Sequence, residues 1–450
     1  MSKVINLKRG LNIPIKGEAE KTLGSMIVAD KVAIKPTDFP GLIPKILVKL
    51  EQEVKAGEPI FFDKYNPDIF FTAPVSGQVI AVNRGERRKV LEIIIKADGK
   101  NESVAFTAAD PQRLSREEVK STLINSGLWP NLIQRPYGTL AKPAHTPKHI
   151  FISGFDSAPL APDYEFTLQG EASALQTGIN ALAKLTDGKV FLGISPSQAN
   201  GVFSGLKNVE INQFSGPHPA GNVGVQIHHI SPVDKGEVVW TINPQAVVFI
   251  GRLFATGKLD LTKIIALTGS EVNSPRYYKT VVGASLESIL KGNTRQAVKE
   301  RVISGNVLVG SRVDADDFLG FFDNQVTVIP EGDYYEFLGW AMPRLNKFSV
   351  SRSYFSWLTP KKKYTLDSNL NGEERAFVMT GEYDKVLPMD IFPVLLIKAI
   401  IASDIDKMEA LGLYEVIEED MALCEYVCTS KIEVQRILRE GINLMIKEMS

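Results

Sequence analysis

Three of the five histidines lie close together in the sequence, and histidine is a common zinc ligand. His218 lies in a loop rich in glycine and proline, whereas His228 and His229 lie on a predicted helix. Adjacent residues on a helix point about 100° apart, so these two side chains are poor joint ligands for one ion. A catalytic zinc site also needs spaced ligands with supporting hydrogen bonds. We therefore expect no metal site, and a structural role for these histidines.

The chain has two cysteines, Cys424 and Cys428, four positions apart on a predicted helix. An iron–sulfur cluster is usually held by about four thiolates, more than this chain can supply. The same spacing on one helix excludes a framework of structural disulfides. Buried structural thiols are the simplest interpretation, and a regulatory dithiol is the alternative.

Lys64 lies at a predicted hairpin between residues 54–60 and 73–79, and these flanking stretches resemble the barrel-sandwich motif of biotinyl and lipoyl carriers. In such carriers a lysine at the hairpin tip is modified. Here no Met-Lys-Met sequence is present, and Asn66-Pro67-Asp68 lengthens the hairpin. A short motif needs its structural context. We expect Lys64 to be an ordinary, unmodified surface lysine.

The first strand of the central section leads into residues 153–162, where a nucleotide-binding loop would be expected. Dinucleotide binding needs closely spaced glycines, because backbone N–H groups must approach the phosphates. This stretch has no G-x-G-x-x-G pattern, and its prolines remove N–H donors. The sequence therefore predicts no cofactor-binding residue here, and it indicates no catalytic residue elsewhere.

Four sections must position these residues. Residues 1–104 contain short strands separated by turn signals, which is typical of a small barrel or sandwich. Residues 105–258 contain a connector and then alternating strands and helices, which favours a mainly parallel, Rossmann-like sheet. Residues 259–340 are predicted to be a small α+β module, and residues 341–450 a mainly helical domain. The predicted fold class is multidomain α/β and α+β.

The charge balance and the apolar stretches limit the partners. The chain of 450 residues has 51 Lys plus Arg and 52 Asp plus Glu, so its net charge of −1 gives no indication of nucleic-acid binding. The strongest apolar stretch, residues 391–402, is interrupted by Pro393 and Lys398. A transmembrane helix needs about 20 apolar residues, so we expect no transmembrane segment. Any location at a membrane must then come through partners.

Several short strings occur in a fixed order along the chain, and together they are more specific than any one alone. They are Gly127-Leu-Trp-Pro, Arg135-Pro-Tyr-Gly, Ser215-Gly-Pro-His-Pro-Ala-Gly, Ile250-Gly-Arg-Leu-Phe-Ala-Thr-Gly, Arg301-Val-Ile-Ser-Gly-Asn and Glu418-Glu-Asp-Met-Ala-Leu-Cys. Over nearly the whole chain they resemble the A subunit of the Na⁺-translocating NADH:quinone oxidoreductases. That family is in turn similar to the C subunit of the Rnf complex and to the NADH-binding flavoprotein subunit of complex I.

The resemblance implies a scaffold that has lost its redox sites. The glycine-rich flavin loop of the distant relatives is replaced here by residues 129–137, and their cysteine cluster is reduced to Cys424 and Cys428. Residues 259–340 would be a β-grasp module similar to soluble-ligand-binding domains. The chain itself would carry no cofactor, and FMN, riboflavin, FAD and iron–sulfur centres would lie on partner subunits.

The resemblance also implies a place and a role. The complex oxidises NADH, reduces quinone and exports Na⁺. The present chain would lie peripherally on the cytoplasmic face of the bacterial inner membrane and dock chiefly on the membrane-embedded B subunit. The alternative is a soluble flavin or iron–sulfur oxidoreductase subunit of the Rnf C type, which would absorb visible light.

Quinone carbonyls accept hydrogen bonds, so a quinone site needs donors beside apolar walls. Arg135 and Tyr137 supply two donors within three residues, and Trp129 and Leu132 supply apolar surface nearby. His218 is the third candidate donor. We predict that any quinone site in this chain uses Arg135, Tyr137 and His218 at a junction with the membrane-embedded partner. The alternative is that Arg135 pins the connector by a salt bridge.

Overall fold

The structure is a computed structural model, and it describes residues 4–339, 342 and 344–449. Its strands, in chain order, are β1 (Val4–Asn6), β2 (Glu20–Leu23), β3 (Lys31–Ile34), β4 (Pro44–Ile46), β5 (Glu53–Val54), β6 (Pro59–Asp63), β7 (Phe70–Thr72), β8 (Gly77–Arg84), β9 (Val90–Ala97), β10 (Ile133–Arg135), β11 (Thr139–Leu140), β12 (Ile150–Ser153), β13 (Val190–Ile194), β14 (Glu210–Ser215), β15 (Val239–Ile242), β16 (Thr262–Thr268), β17 (Arg276–Val281), β18 (Glu300–Ser304), β19 (Ser311–Val313) and β20 (Gln325–Pro330).

The α-helices become more frequent towards the end of the chain. In chain order they are α1 (Arg116–Asn125), α2 (Tyr164–Thr167), α3 (Ala172–Lys184), α4 (Val223–Ile230), α5 (Pro244–Thr256), α6 (Leu286–Leu290), α7 (Glu382–Val386), α8 (Pro393–Ile401), α9 (Ile405–Ala410), α10 (Glu418–Val427) and α11 (Val434–Met449).

Residues 31–97 form two small antiparallel sheets, with the strand orders β3-β9-β8-β5 and β4-β6-β7. Successive side chains of a strand point to opposite faces, so Ile93 and Ile95 of β9 both face inwards and are fully buried. The shared core is aromatic, and the rings of Phe61 and Phe71 stack with their centroids 4.4 Å apart. Short strands around one apolar core are what the sequence predicts for this section.

Two strands within residues 4–23 pair outside these two small sheets, and the bounds of the first section at residues 1–104 stay a prediction. β1 pairs in parallel with β14, where Val4 lies opposite Gln213. β2 pairs in parallel with β17 of a different sheet. A strand pattern indicates that a segment will be extended, but the edge on which it pairs depends on contacts distant in sequence.

The central section contains a seven-stranded sheet in the order β1-β14-β13-β12-β15-β10-β11. The first five strands in this order, β1, β14, β13, β12 and β15, run parallel to one another, as the alternation of strands and helices predicts. β10 pairs with β15 in the antiparallel direction. Ile152 packs in one core with residues of α3 and α5, while its neighbour Phe151 packs with Ile227 of α4. Because the carboxyl ends of parallel strands meet at one edge, the loops that follow β12 and β14 become neighbours.

Residues 262–330, together with β2, form a six-stranded sheet in the order β19-β18-β20-β16-β17-β2. β16 is central, since it pairs antiparallel with β17 and parallel with β20. This mixed sheet with α6 agrees in its element types with the predicted α+β module. The predicted boundary between Trp340 and Ala341 lies outside the described residues.

The carboxyl-terminal helices pack around the apolar face of α11. Its residues Val434, Leu438, Ile442 and Met445 are fully buried at the predicted helical spacing. Truncating one such side chain to alanine typically costs about 2–5 kcal/mol. Among the described residues, no helix is both long enough and apolar enough to cross a membrane.

The final helix begins at Val434, but one prediction for this last section needs correction. Residues 344–381 were predicted to lie in a mainly helical domain, but their described part is largely irregular and contains only the 3₁₀ turn Phe355–Leu358 as a helical element. The reason is visible in the sequence, since this stretch lacks an apolar repeat at helical spacing.

Local signals determine the ends of α1 as expected. The Ser115 hydroxyl accepts a hydrogen bond from the Glu118 N–H at 3.3 Å, and the Glu118 carboxylate accepts one from the Ser115 N–H at 2.8 Å. This reciprocal pair is a capping box. Gly127 follows the helix with φ of +72°, and a Cβ there would lie 2.2 Å from the Thr72 hydroxyl oxygen. The turn into residues 129–137 therefore requires glycine.

Candidate functional site

Arg135 lies at the end of β10 and is almost completely buried, with 3% of its side chain exposed. Its Nη1 donates to Asp420 Oδ2 at 2.7 Å, and its Nη2 donates to Glu419 Oε1 at 2.6 Å. Both carboxylates belong to the first turn of α10. The ion pairs therefore join the central section to the carboxyl-terminal helices. We call this cluster of Arg135, Glu419 and Asp420 the buried junction.

The loop that contains His218 reaches the same junction. Asn222, which precedes α4, donates from its side chain to the Glu419 carbonyl at 2.9 Å. Gly224, in the first turn of α4, leaves room for the Asp420 carboxylate, since a Cβ there would come within 2.3 Å of Asp420 Oδ1. The amino-terminal turns of α4 and α10 therefore meet at one buried carboxylate, and helix amino termini favour negative charge.

The buried junction is electrostatically matched but not fully hydrogen-bonded. Burial disfavours the charged guanidinium, yet the adjacent Asp420 and Glu419 carboxylates raise the pKa of Arg135 above its usual value. Arg135 Nε and Asp420 Oδ1 have no hydrogen-bond partner within the described part of the chain. The junction thus keeps one buried donor and one buried acceptor that the protein does not satisfy.

Tyr137 follows a cis peptide bond between Arg135 and Pro136 and has φ of +82°. Its carbonyl accepts a hydrogen bond from Arg439 Nη1 at 2.9 Å. Its ring packs edge-on against Tyr414, with the centroids 6.0 Å apart. Burial and the neighbouring Tyr414 raise the pKa of Tyr137 to about 12, so its hydroxyl stays protonated near neutral pH.

His218 is buried in the loop after β14, with 3% of the residue exposed. Its Nδ1 lies 3.0 Å from the Ser157 hydroxyl, in the loop after β12. Its backbone N–H donates to the Asn12 side chain at 2.9 Å, and its carbonyl accepts from the Leu11 N–H at 2.8 Å. Burial lowers the pKa of His218 to about 4, so the ring is neutral at pH 7.

The structure therefore brings the segment of Arg135 and the loop of His218 to one junction, where the Arg135 Nη atoms and His218 Nδ1 already have protein partners. Two surface cavities stand out in the described part of the chain, and neither is lined by these residues or by Tyr137. The larger cavity, about 340 Å³, is lined by Asn6, Leu7, Lys8, Arg9, His228, His229, Pro388, Met389 and Asp390.

His228 and His229 are separate from His218 in their contacts. His228 Nδ1 lies 2.6 Å from Glu415 Oε2, and its Nε2 accepts from the Asp390 N–H at 3.1 Å. Both ring nitrogens of His228 are thus used in tying α4 to the carboxyl-terminal helices. The described residues include no group of three or more His, Cys, Asp or Glu side chains arranged to hold a metal ion.

Comparison with known proteins shows the family. Three family models match: the NqrA N-terminal barrel-sandwich hybrid domain at residues 5–98, the NqrA second alpha/beta domain at 114–259, and the NQRA C-terminal domain at 264–315. The A subunit of the Na(+)-translocating NADH-quinone reductase of Tolumonas auensis is 40% identical over 441 residues, which cover 97% of this chain and 98% of that protein. The chain belongs to this NqrA family.

Other members of the NqrA family match equally well along their full length. The protein of the same name from Pasteurella multocida is 39% identical over 449 residues, which cover 99% of this chain and 100% of that protein. A solved chain of an NAD⁺-reducing nickel–iron hydrogenase aligns over 76% of this chain and 64% of its own length, with a TM-score of 0.40 and 12% identity. That structural similarity is too low to bear on function.

In this member of the NqrA family, most of residues 129–137 are buried in the hydrophobic core. Trp129 is 1% exposed and packs edge-on against Trp240, with ring centroids 5.3 Å apart. Its indole N–H donates to the Ala141 carbonyl at 2.7 Å. Leu132 is fully buried in the same core. The side chains of Trp129 and Trp240 therefore fill the core at this turn, and the absence of a flavin stays a prediction.

Cys424 and Cys428 are both buried free thiols of α10 and its end. Burial raises the pKa of the Cys424 thiol far above its usual range, which keeps it protonated. A protonated, buried thiol is a poor nucleophile and a poor metal ligand. Their environment therefore suits the structural role that the sequence suggests.

Lys64 is exposed at the turn between β6 and β7, and its backbone N–H donates to the Ile43 carbonyl at 2.8 Å. The Asp63 carboxylate braces the turn by accepting from the Tyr65 N–H at 3.2 Å and from the Asn66 side chain at 2.6 Å. The lysine itself lies beside the Tyr65 ring. The unmodified state of Lys64 stays a prediction, because this geometry does not test it.

Sequence reasoning missed the partners of Arg135. Glu418, Glu419 and Asp420 form an acidic run at the start of a helix, which is normally interpreted as a solvated first turn that favours the helix dipole. The structure instead buries Asp420 completely. Two features together could have indicated the pair. Arg135 lies in an apolar connector without a nearby acidic residue, and Asp420 lies on the face of α10 that carries apolar side chains.

Proposed function

We propose that this chain is a cofactor-free peripheral subunit of a complex that oxidises NADH, reduces quinone and exports Na⁺. It would lie on the cytoplasmic face of the membrane and dock chiefly on the membrane-embedded B subunit. The near full-length similarity to the A subunits of Na(+)-translocating NADH-quinone reductases supports the complex and the role. The flavins and iron–sulfur centres would then belong to partner subunits.

The observation that best supports a cofactor-free role is the buried Trp129. The residues that would need to approach a flavin phosphate are replaced here by an indole ring with its own hydrogen bond to Ala141. Pro130 and Asn131 are also buried in the same turn. A phosphate site at this position needs free backbone N–H groups, and a proline offers none.

We also infer that the central section is Rossmann-like. The strand order β14-β13-β12-β15 places the second and third strands on one side of β12 and the fourth strand on the other. This reversal of direction after the first strand is the topological switch point of doubly wound folds. The loop after β12 would then be a relic of a nucleotide site. The β-grasp assignment of the six-stranded sheet stays a prediction.

A quinone contact by Arg135, Tyr137 and His218 also stays a prediction. The free hydrogen-bonding capacity of Arg135 Nε is the feature that favours it. The two ion pairs of Arg135 favour the structural alternative, because they already use its Nη atoms. Both alternatives place the role of Arg135 at the contact between the central section and α10.

The proposed role can be tested by purifying the tagged chain from native membranes and identifying the proteins that accompany it. We expect the other subunits of the complex, including the membrane-embedded B subunit, in stable amounts. The isolated chain should show no flavin or iron–sulfur absorbance, and it should not oxidise NADH. Recovery of the chain alone from membranes, or stoichiometric visible absorbance, would contradict the proposal.

The quinone prediction needs a separate experiment in the assembled complex. Arg135→Ala should raise the KM for quinone while NADH oxidation with an artificial acceptor and subunit composition remain unchanged. Arg436→Ala, which removes an exposed arginine of α11, is the matched control. Normal quinone kinetics in a fully assembled Arg135→Ala complex would exclude the quinone role. Failure to assemble would assign Arg135 to structure alone.

A further inference from the structure

Residues 344–363 have a composition unlike the rest of the chain. They contain six cationic side chains and no Asp or Glu, although the whole chain is balanced at 51 cationic to 52 acidic residues. The six are Arg344, Lys347, Arg352, Lys361, Lys362 and Lys363. Four aromatic residues lie between them: Phe348, Tyr354, Phe355 and Trp357. We call residues 344–363 the basic–aromatic segment.

The segment is a loop that is closed at its base. Lys362 Nζ donates to the Leu345 carbonyl at 2.7 Å and lies 3.1 Å from the Asn346 side-chain oxygen. Inside the loop, the Tyr354 N–H donates to the Ser349 hydroxyl at 3.0 Å. These bonds hold residues 346–361 as one excursion with a defined tip.

The tip is the 3₁₀ turn Phe355–Leu358, and its large apolar side chains face solvent. Phe355 is 42% exposed, Trp357 53% and Leu358 57%. Only Ser356 of this turn is buried, because its hydroxyl turns inward to the Ser349 carbonyl. Exposed apolar side chains concentrated in one turn mark a surface that is covered in the working state.

Two of the six cations lie close to the tip without an ion pair, whereas others in the segment are used inside the described chain, including Lys363, which pairs with Glu18. Arg344 and Lys347 at the base pair with Glu336, at 3.2 Å and 2.8 Å. In contrast, Arg352 and Lys361 flank the tip, are exposed, and have no acidic partner among the described residues. Free positive charge therefore surrounds the exposed aromatic turn.

We propose that the basic–aromatic segment docks on the surface of a bilayer that contains anionic lipid. Aromatic side chains with an apolar body and a polar edge settle at the level of the headgroups, as Trp357 and Tyr354 could do here. Flanking Lys and Arg side chains then reach the lipid phosphates. The apolar turn is far shorter than a membrane span, so it would enter only the interface.

An anionic bilayer suits this surface better than an acidic protein does. The centres of protein interfaces are depleted of lysine, whereas the aromatic turn here is followed closely by the run Lys361-Lys362-Lys363 and preceded by Arg352. The tip also projects Phe355, Trp357 and Leu358 outward. The inference rests on the proposed function only in placing the chain at a membrane.

The test uses the purified full chain and two kinds of vesicle, phosphatidylcholine alone and phosphatidylcholine with about a third phosphatidylglycerol. We expect the chain to sediment with the anionic vesicles, and binding to weaken at high salt because exposed charges are screened. Arg352→Gln with Lys361→Gln should weaken this binding about thirtyfold, since each of the two cations contributes near the lipid surface. Trp357→Ser should remove the part of the binding that survives high salt.

The matched control is Arg87→Gln with Arg88→Gln, which removes the same charge from exposed residues of the hairpin between β8 and β9. It should leave vesicle binding unchanged. Equal loss in both double variants would assign the binding to overall charge and overturn the proposal, as would absence of binding to anionic vesicles.

A protein partner for the segment would give a different result. In that case Arg352→Gln with Lys361→Gln would lose the other subunits on purification from membranes, although no form of the chain bound vesicles. That outcome would also overturn the lipid proposal. Failure of the vesicle assay with normal co-purification of the complex would overturn the lipid proposal and leave the proposed function intact.

Discussion

Arg135 and Arg352 have the same side chain and opposite surroundings. At the buried junction the guanidinium of Arg135 is enclosed by Asp420 and Glu419, at 2.7 Å and 2.6 Å. In the basic–aromatic segment Arg352 is exposed beside an aromatic turn and has no acidic partner in the described chain. The first charge holds two parts of one protein together. The second is available to something outside it.

The difference shows how a chain with nearly zero net charge can still present a strongly basic surface. Charges that are buried must be paired, because removing an ion from water is costly. Exposed charges remain solvated by water and need no partner within the protein, so they are available to bind another molecule. Substitutions in the two regions should therefore have different effects. At the buried junction they should lower the stability of the protein, and in the basic–aromatic segment they should weaken binding to a partner surface.

The largest expected effect is on the buried junction. Arg135→Ala leaves two carboxylates near each other without their cation, which should lower the free energy of unfolding by about 3–5 kcal/mol. Urea unfolding of the purified chain, followed by circular dichroism, measures this. Arg436→Ala should leave the unfolding midpoint unchanged, because that arginine is exposed on α11. Equal midpoints for both variants would show that the junction does not stabilise the protein.

The second effect is a dependence of stability on pH that arises from His218, in the loop after β14. The pKa of His218 is about 4 in the folded protein and 6.5 ordinarily, so the unfolded chain binds more protons between these values. Stability should therefore fall as the pH drops from 7 to 4, by about 3 kcal/mol from this residue. His218→Asn should flatten the profile between pH 6.5 and 4. An unchanged profile would mean that His218 does not titrate as its burial implies.

The smallest effect on stability is expected at the basic–aromatic segment. Arg352→Gln with Lys361→Gln should change the free energy of unfolding by no more than about 0.5 kcal/mol, because exposed side chains without partners contribute little. The same urea experiment measures it. A loss comparable to that of Arg135→Ala would erase the contrast between the two regions.

The sequence predicted elements well where the signal is local. The capping box of Ser115 and Glu118 and the alternating elements of the central section depend on neighbours within a few residues. The apolar face of α11 was predicted in the same way, with Val434 and Leu438 at helical spacing. These features need no knowledge of the rest of the chain.

Long-range partners could not be obtained in that way. Asp420 lies 285 positions from Arg135, and an acidic first turn normally indicates solvent, so nothing local marks it as a buried partner. His218 was predicted as a free donor because the sequence does not show that Ser157 would lie beside it. Burial decides whether a donor is free, and burial is a property of the whole fold.

The strand β1 has a consequence for how the protein is made. Val4 is synthesised long before its partner Gln213, which follows the whole first section and most of the central one. Closing so long a loop carries an entropic cost, and contacts between distant residues form slowly. Until then the edge of β14 is open, and open edges invite pairing with other chains. Although β1 is synthesised before β14, it would therefore settle late, and the edge of β14 would stay open to pairing with other chains until it does.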